Sequence, residues 1–212
     1  MKLFAIPLTV TFLAVSGCSQ AAPNTSEPAP TPPAKATKAA PAKMERIGNW
    51  LVVKSESHVN FTASLQGKDF TGGFDTFDAV INFKEDAVED ASVTATIHLA
   101  SVSAGDKERD AALPGKEWFN IKSFPKAVFQ SDNFVKTGDG QYEARGTLSM
   151  KGKSQPLTLP FTLDIDGSRA EMDGKVTLDR TLWDVGTGNW STDEWASTDV
   201  VVDVKIVAES PF

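Results

Sequence analysis

From Trp50 onward the chain alternates apolar and polar residues with a period of two, in repeated short runs. Val59, Phe61 and Ala63 form one run, and Ala79, Ile81 and Phe83 another. Ala91, Val93, Ala95, Ile97 and Leu99 follow, then Tyr142, Ala144, Gly146, Leu148 and Met150. Leu157 to Ile165, Ala170 to Leu178 and Val200 to Ile206 repeat the pattern. Side chains of a strand point alternately to its two faces, so each run reads as a strand with one buried and one wet face. Gly72-Gly73, Gly138-Asp139-Gly140, Lys151-Gly152-Lys153 and Asp166-Gly167 supply the turn signals between them. About eight strands with polar outer faces in one domain fit an antiparallel barrel or a sandwich. The expected class is all-β.

Charge and residue usage remove several functions. Beyond position 46 the chain holds 16 basic and 26 acidic residues, a net charge of −10. A nucleic-acid binder needs a basic stripe, so that partner is excluded. One cysteine and two histidines supply neither an internal disulfide nor a zinc cluster, and no metal site is expected. Asp106, Glu108 and Asp110 lack the spacing of a calcium loop and read as a solvated helix face. No Gly-x-Ser-x-Gly elbow occurs, and His58 and His98 fall on outward strand positions. The expectation is a protein without catalytic residues. A hydrolase acting on a lipid or envelope substrate is the less favoured alternative.

The N-terminus reads as a targeting segment. Lys2 precedes a short apolar run from Leu3 to Val15, too short to span a bilayer as a helix. The run ends Val15-Ser16-Gly17-Cys18, which resembles a bacterial lipobox with Val in place of the commoner Leu. Residues 1–17 are then a lipoprotein signal peptide, and Cys18 is the lipidated residue. Several acyl chains hold a protein on a membrane where one does not. Ser19, rather than Asp, follows the cysteine, which favours the periplasmic leaflet of the outer membrane. Residues 18–46 are rich in Ala, Pro, Thr and Lys, lack apolar periodicity and read as a spacer. The folded domain is expected over 47–212.

One stretch departs from period two. Asp106 to Phe124 carries Asp106-Lys107-Glu108-Arg109-Asp110 and then Leu113, Trp118, Phe119 and Ile121. It predicts one or two short helices, broken at Pro114 and ended by Pro125, that would plug or lid one barrel mouth. Arg109 and Asp110 are expected to form a local ion pair. Trp118, Trp183, Trp190 and Trp195 would rim the mouth, meet a membrane or anchor a homodimer, or simply pack the loop.

The order of several motifs resembles the YceI-like family of secreted bacterial lipid-binding proteins, from about Trp50 to Ala208. Ser57-His58-Val59-Asn60-Phe61 is similar to its opening Ser-x-Val-x-Phe strand, with Glu56 where His is commoner. Gly73-Phe74 with Phe77, Ser101-Val102, and Arg109-Asp110 with Leu113 follow in order. Phe124 to Ser131 is the most recognisable block, then Gly146-Thr147-Leu148 to Gly152 with Pro156, and Asp179-Arg180. Trp183-Asp184 stands where many members have Phe-Gly. Gly186-Thr187-Gly188-Asn189-Trp190 is similar to the subset joined to cytochrome b561 domains, which by analogy suggests a quinone ligand and a membrane partner of that type.

The resemblance implies an eight-stranded, lipocalin-like antiparallel barrel with a short helical insertion and a long apolar cavity holding a polyisoprenoid. Under it, the candidates for ligand contact are Phe61, Phe74, Phe77, Trp118, Phe119, Phe129, Tyr142, Leu148, Met150, Phe161, Met172, Leu178 and Trp183. Small inward residues such as Ala63, Ala144, Gly146 and Gly174 would leave the room, and Arg180 would meet a pyrophosphate head group. The ligand would be a polyprenyl phosphate or an isoprenoid quinone. The competing reading is a barrel packed shut, serving as an envelope-stress or assembly module.

Overall fold

The computed structural model describes residues 49–211. The signal segment, Cys18 and the spacer to residue 46 lie outside the described residues. Eleven β segments form one antiparallel sheet: β1 (Leu51–Val52), β2 (His58–Leu65), β3 (Lys68–Phe74), β4 (Phe77–Asn82), β5 (Ser92–His98), β6 (Val102–Ser103), β7 (Lys126–Gly138), β8 (Gln141–Met150), β9 (Lys153–Asp166), β10 (Arg169–Asp179) and β11 (Asp199–Glu209). Three pairs among these are single strands with a break. A 3₁₀ turn at Lys54–Glu56 divides β1 from β2, a bend at Asp75-Thr76 divides β3 from β4, and a 3₁₀ turn at Leu99–Ser101 divides β5 from β6. Joined in this way they make the expected eight strands.

Each strand pairs with its sequence neighbours, and the last returns to the first. β2 pairs β3, β4 pairs β5, and β6 pairs β3. The ladder then runs β5-β7-β8-β9-β10-β11, and β11 closes on both β2 and β1. The runs read from the sequence fall on the inner face in the expected register. Phe61, Phe129, Tyr142, Ala144, Leu148, Leu159, Phe161 and Ala170 are buried there.

Serines repair the breaks. Ser57 Oγ accepts from Val207 N at 2.9 Å and donates to Val53 O at 2.8 Å. Ser101 Oγ accepts from Thr76 N at 3.0 Å and donates to His98 O at 2.7 Å. These hydroxyls satisfy backbone groups that a broken ladder leaves without partners.

Two strands were not legible in the alternation. Gly72-Gly73 is not a turn but part of β3. A Cβ at Gly72 would lie 2.4 Å from the Phe61 ring and 2.6 Å from Ser103 O, so the glycine is what lets β6 and that ring approach. The turn instead lies at Gln66-Gly67, where both φ angles are positive (52° and 75°), as a tight hairpin requires. In β7 a bulge between Gln130 and Asn133 shifts the inward parity from Phe129 to Phe134. Ser131 fills the bulge, its Oγ donating to Arg145 O at 2.9 Å.

Opposite that bulge stands Gly146, which lines neither cavity described below. A Cβ there would meet Gln130 O at 2.1 Å and Ser131 Cβ at 2.8 Å. Gly174 leaves no room either, since its Cβ position is bounded by Leu159 and Phe161. Gly146→Ala is expected to destabilise the barrel by about 3 kcal/mol, because backbone cannot yield to the new methyl group. Thermal denaturation measures this, and an unchanged melting temperature would contradict the bulge–glycine contact.

Candidate ligand cavity

The barrel has two distinct ends. One carries the hairpins at Gln66-Gly67 and Lys151-Gly152, the insertion 104–124 and the loop 180–198. The other carries the start of the described chain, the loop 83–91, the hairpins at Asp139-Gly140 and Gly167, and the C-terminus. At this second end Phe83, Phe134, Tyr142 and Phe161 form a four-ring cluster with centroids 5.5–6.2 Å apart. Trp50 seals it, with Nε1 donating to Phe83 O at 3.0 Å.

Two cavities fill the space between the ends. A deep chamber of about 190 Å³ adjoins the aromatic cluster, and Phe77, Phe129, Phe161 and Met172 are in its wall. Its lining residues are all apolar types. An outer chamber of about 550 Å³ lies under the insertion, walled by Phe61, Phe74, Trp118, Phe119, Met150 and Trp183. Val59, Ile97, Leu148, Leu178 and Val202 belong to both, so the chambers meet at a waist. Ala144 lines the deep chamber and Ala63 the outer one. Of the expected contact residues only Tyr142 stands apart. It belongs to the aromatic plug, stacked 5.5 Å from Phe161, with its hydroxyl 3.4 Å from Glu85 Oε1. The sequence reading missed Phe70, Leu113 and Val185 in the outer wall and Phe134 in the deep one. Phe70 lies on the glycine-masked strand and Phe134 follows the bulge, where period two gives no signal.

The insertion forms one short helix, α1 (Lys107–Ala112), followed by turns. Asp106 caps it, accepting from Glu108 N and Arg109 N, and this holds its carboxyl below the ordinary value. The expected Arg109–Asp110 ion pair is absent. Arg109 Nη2 donates to Ala104 O at 2.9 Å, while Asp110 Oδ1 accepts from Ala104 N at 2.6 Å. The two side chains therefore clamp the backbone of one residue, Ala104, by its N–H and its carbonyl, with the guanidinium 4.4 Å from the Phe70 ring centre.

Glu117 joins the insertion to the loop above it. Its carbonyl accepts from Gly186 N and Thr187 N, both at 2.9 Å, and its carboxylate from Trp190 Nε1 at 3.1 Å. Trp118 lies 5.5 Å from Trp190. Lys151 Nζ donates to the carbonyls of both Glu117 and Asp184, and burial pushes its ammonium below the ordinary value. These contacts make a roof over the outer chamber. Trp183 is packed within it, 2% exposed, with Nε1 donating to Leu148 O at 2.9 Å. Trp195 is the exposed tryptophan of this end.

Arg180 does not face the cavity as a head-group ligand. It is 5% exposed, and its five N–H groups are all spent on carbonyls. Nε donates to Ser197 O, Nη1 to Val185 O and Gly186 O, and Nη2 to Trp190 O and Ala196 O, at 2.6–3.2 Å. Burial pushes its pKa down, with Asp193 and Asp179 acting in the opposite sense. Gly186 is required beside it, since a Cβ there would sit 2.1 Å from Nη1 and φ is +77°. Arg180→Met leaves these carbonyls without donors and is expected to destabilise the fold by about 3 kcal/mol. Limited proteolysis should then cut within 184–197, and a loop as resistant as wild type would contradict the clamp.

Residues 50–208 match the model of the YceI-like domain. The chain is 35% identical over 97 residues to a UPF0312 protein of Yersinia pestis, covering 46% of this chain and 50% of that one. To the protein YceI of Salmonella arizonae it is 33% identical over 129 residues, 57% of this chain and 67% of the other. The chain thus spans about half the length of the first curated relatives it matches. The crystal structure of Burkholderia cenocepacia BcnA aligns with a TM-score of 0.72 at 29% identity, over 74% of this chain and 99% of BcnA. A polyisoprenoid binding domain from Saccharophagus degradans shares the fold, with a TM-score of 0.61 at 15% identity over 77% and 99% of the two chains. Family model, relatives and fold agree, and the chain belongs to the YceI-like family.

Proposed function

We propose that this protein is a non-catalytic carrier that holds one isoprenoid lipid with an uncharged head group, such as a quinone, inside the barrel. The observation that carries the reading is the pair of joined apolar chambers. Burial of apolar surface is worth about 25 cal/mol per Å², so a long hydrocarbon chain is held there without any directed polar contact. The outer chamber falls within the size range of about 300–1,000 Å³ usual for ligand pockets, which a barrel packed shut would not offer.

The head group is argued from the roof. The ionisable residues lining the outer chamber are Asp106, Glu108, Arg109 and Arg180. Arg180 has no donor left, and Arg109 directs Nε and Nη2 to Ala104 O. A phosphate placed there would meet two carboxylates, one guanidinium with no donor left and another that already turns Nε and Nη2 to Ala104 O. A neutral carbonyl-bearing ring avoids that repulsion. The likeness of Gly186 to Trp190 to members joined to cytochrome b561 domains points the same way.

Lipidation of Cys18 would tether the carrier to the periplasmic leaflet of the outer membrane, with residues 18–46 as spacer. The absence of catalysis is argued from the histidines. His58 Nε2 is 3.3 Å from Asp203 and His98 Nε2 is 3.1 Å from Asp78, both on the outer face and away from the chambers. Neither is positioned to activate a nucleophile inside.

Native mass spectrometry followed by solvent extraction tests the reading. Protein from envelope fractions is expected to release an isoprenoid without phosphate. Repeatedly empty protein that also refuses added prenyl lipids would overturn the proposal. Ala95→Phe, which fills the deep chamber, is expected to weaken binding about tenfold, or ~1.4 kcal/mol. Unchanged affinity in a titration would show that the chain does not reach that chamber.

A further inference from the structure

The ring of strands is not equally closed all round. Between its first strand (β1 and β2) and its second (β3 and β4), Trp50 lies opposite Ile81 and Asn60 lies opposite Gly73. Between those two points the described residues of the two strands form no ladder pair. Both strands break here, at Lys54–Glu56 and at Asp75-Thr76. Lys54 alone bridges the gap by a side chain. Its ammonium donates to Phe77 O, pairs with Asp78 at 3.3 Å and stands 4.4 Å from the Phe77 ring centre. His98 holds the other oxygen of Asp78, and these two partners depress the carboxyl's pKa.

Inside the gap lies the deep chamber, for which Val59 on one side and Phe77, Ala79 and Ile81 on the other supply wall. Outside it lies an apolar lip. The register that places Trp50 against Ile81 places Leu51 against Val80, and these residues are 42% and 49% exposed. They are two of the four large apolar side chains exposed among the described residues. A greasy lip, a single flexible bridge and an apolar chamber behind it are the parts of a lateral opening.

We propose that this seam is a side portal through which a lipid hydrocarbon chain enters and leaves the deep chamber, with Lys54 as its latch. The inference rests on the carrier reading and adds a route to it. β9 and β10 are also unpaired beyond Gly174 and Phe161, but the residues exposed along that gap are Thr158, Pro160, Lys175 and Thr177, which form no greasy lip. At the remaining strand junctions a ladder would have to break, and at the roof the Glu117 and Arg180 contacts would have to part. At the seam only the Lys54 contacts and the few bonds of Asn49 and Trp50 to Ile81 and Phe83 oppose opening.

The test is stopped-flow transfer of dansyl-labelled geranylgeraniol from phosphatidylcholine vesicles to the full chain, read by energy transfer from tryptophan. Lys54→Ala should speed uptake and release several-fold alike, leaving equilibrium affinity unchanged. Val80→Lys, which charges the lip, should slow uptake several-fold. Glu117→Ala, which loosens the roof, should leave both rates at the wild-type value. Seam variants at wild-type rates beside a faster Glu117→Ala would overturn the portal and send the lipid through the roof. If Lys54→Ala does not fold, Asp78→Asn weakens the same latch and carries the same expectation. No transfer to the wild-type chain would count against the carrier reading itself, whereas transfer indifferent to the seam overturns the portal alone.

Discussion

Closing eight strands into a ring sets an interior volume that something must occupy. The backbone fixes the ring, and the inward residues decide whether side chains alone suffice. Here the inward sets combine large rings with Ala63, Ala79, Ala95 and Ala144, and two joined chambers remain. The aromatic residues are not spread evenly. Four rings gather at one end and close it, while the chain of Phe70, Phe61, Phe74 and Phe119 leads from the hairpin to the insertion at the other. The apolar space between them is the property on which the functional reading depends.

Polar side chains at the open end serve to hold the covers of that space. Arg180 gathers five carbonyls of its own loop, Glu117 joins the insertion to that loop, and Arg109 with Asp110 grips the backbone N–H and carbonyl of Ala104. A buried guanidinium is tolerated because its donors are all met. This use of charge explains why arginine near a cavity is not by itself evidence for a phosphate ligand. Residues that look poised for an anion are instead committed to backbone.

Much of the architecture was legible because period two is a direct consequence of strand geometry. The inward residues from Tyr142 to Met150, Leu157 to Ile165 and Ala170 to Leu178 follow it without interruption. The pattern fails where the backbone departs from a regular pleat. Gly72 and Gly73 look like a turn because only their neighbours reveal that Phe61 and Ser103 require them to be small. The bulge at Ser131 moves Phe134 to the other parity, and the break at Asp75-Thr76 hides the continuity of one bent strand. The committed state of Arg180 is invisible in sequence, since its partners are main-chain atoms up to 17 residues away. The volume of the interior is likewise a property of packing between strands and not of any one run.

The central claim is that one hydrocarbon chain threads both chambers. Calorimetric titration with neutral isoprenoid alcohols of increasing length tests it directly. Affinity should rise by a similar factor with each added isoprene unit, because each buries further apolar surface, and should level off once the chambers are full. Affinity independent of chain length would contradict the account, since it would place recognition at the roof and leave the barrel interior without a role.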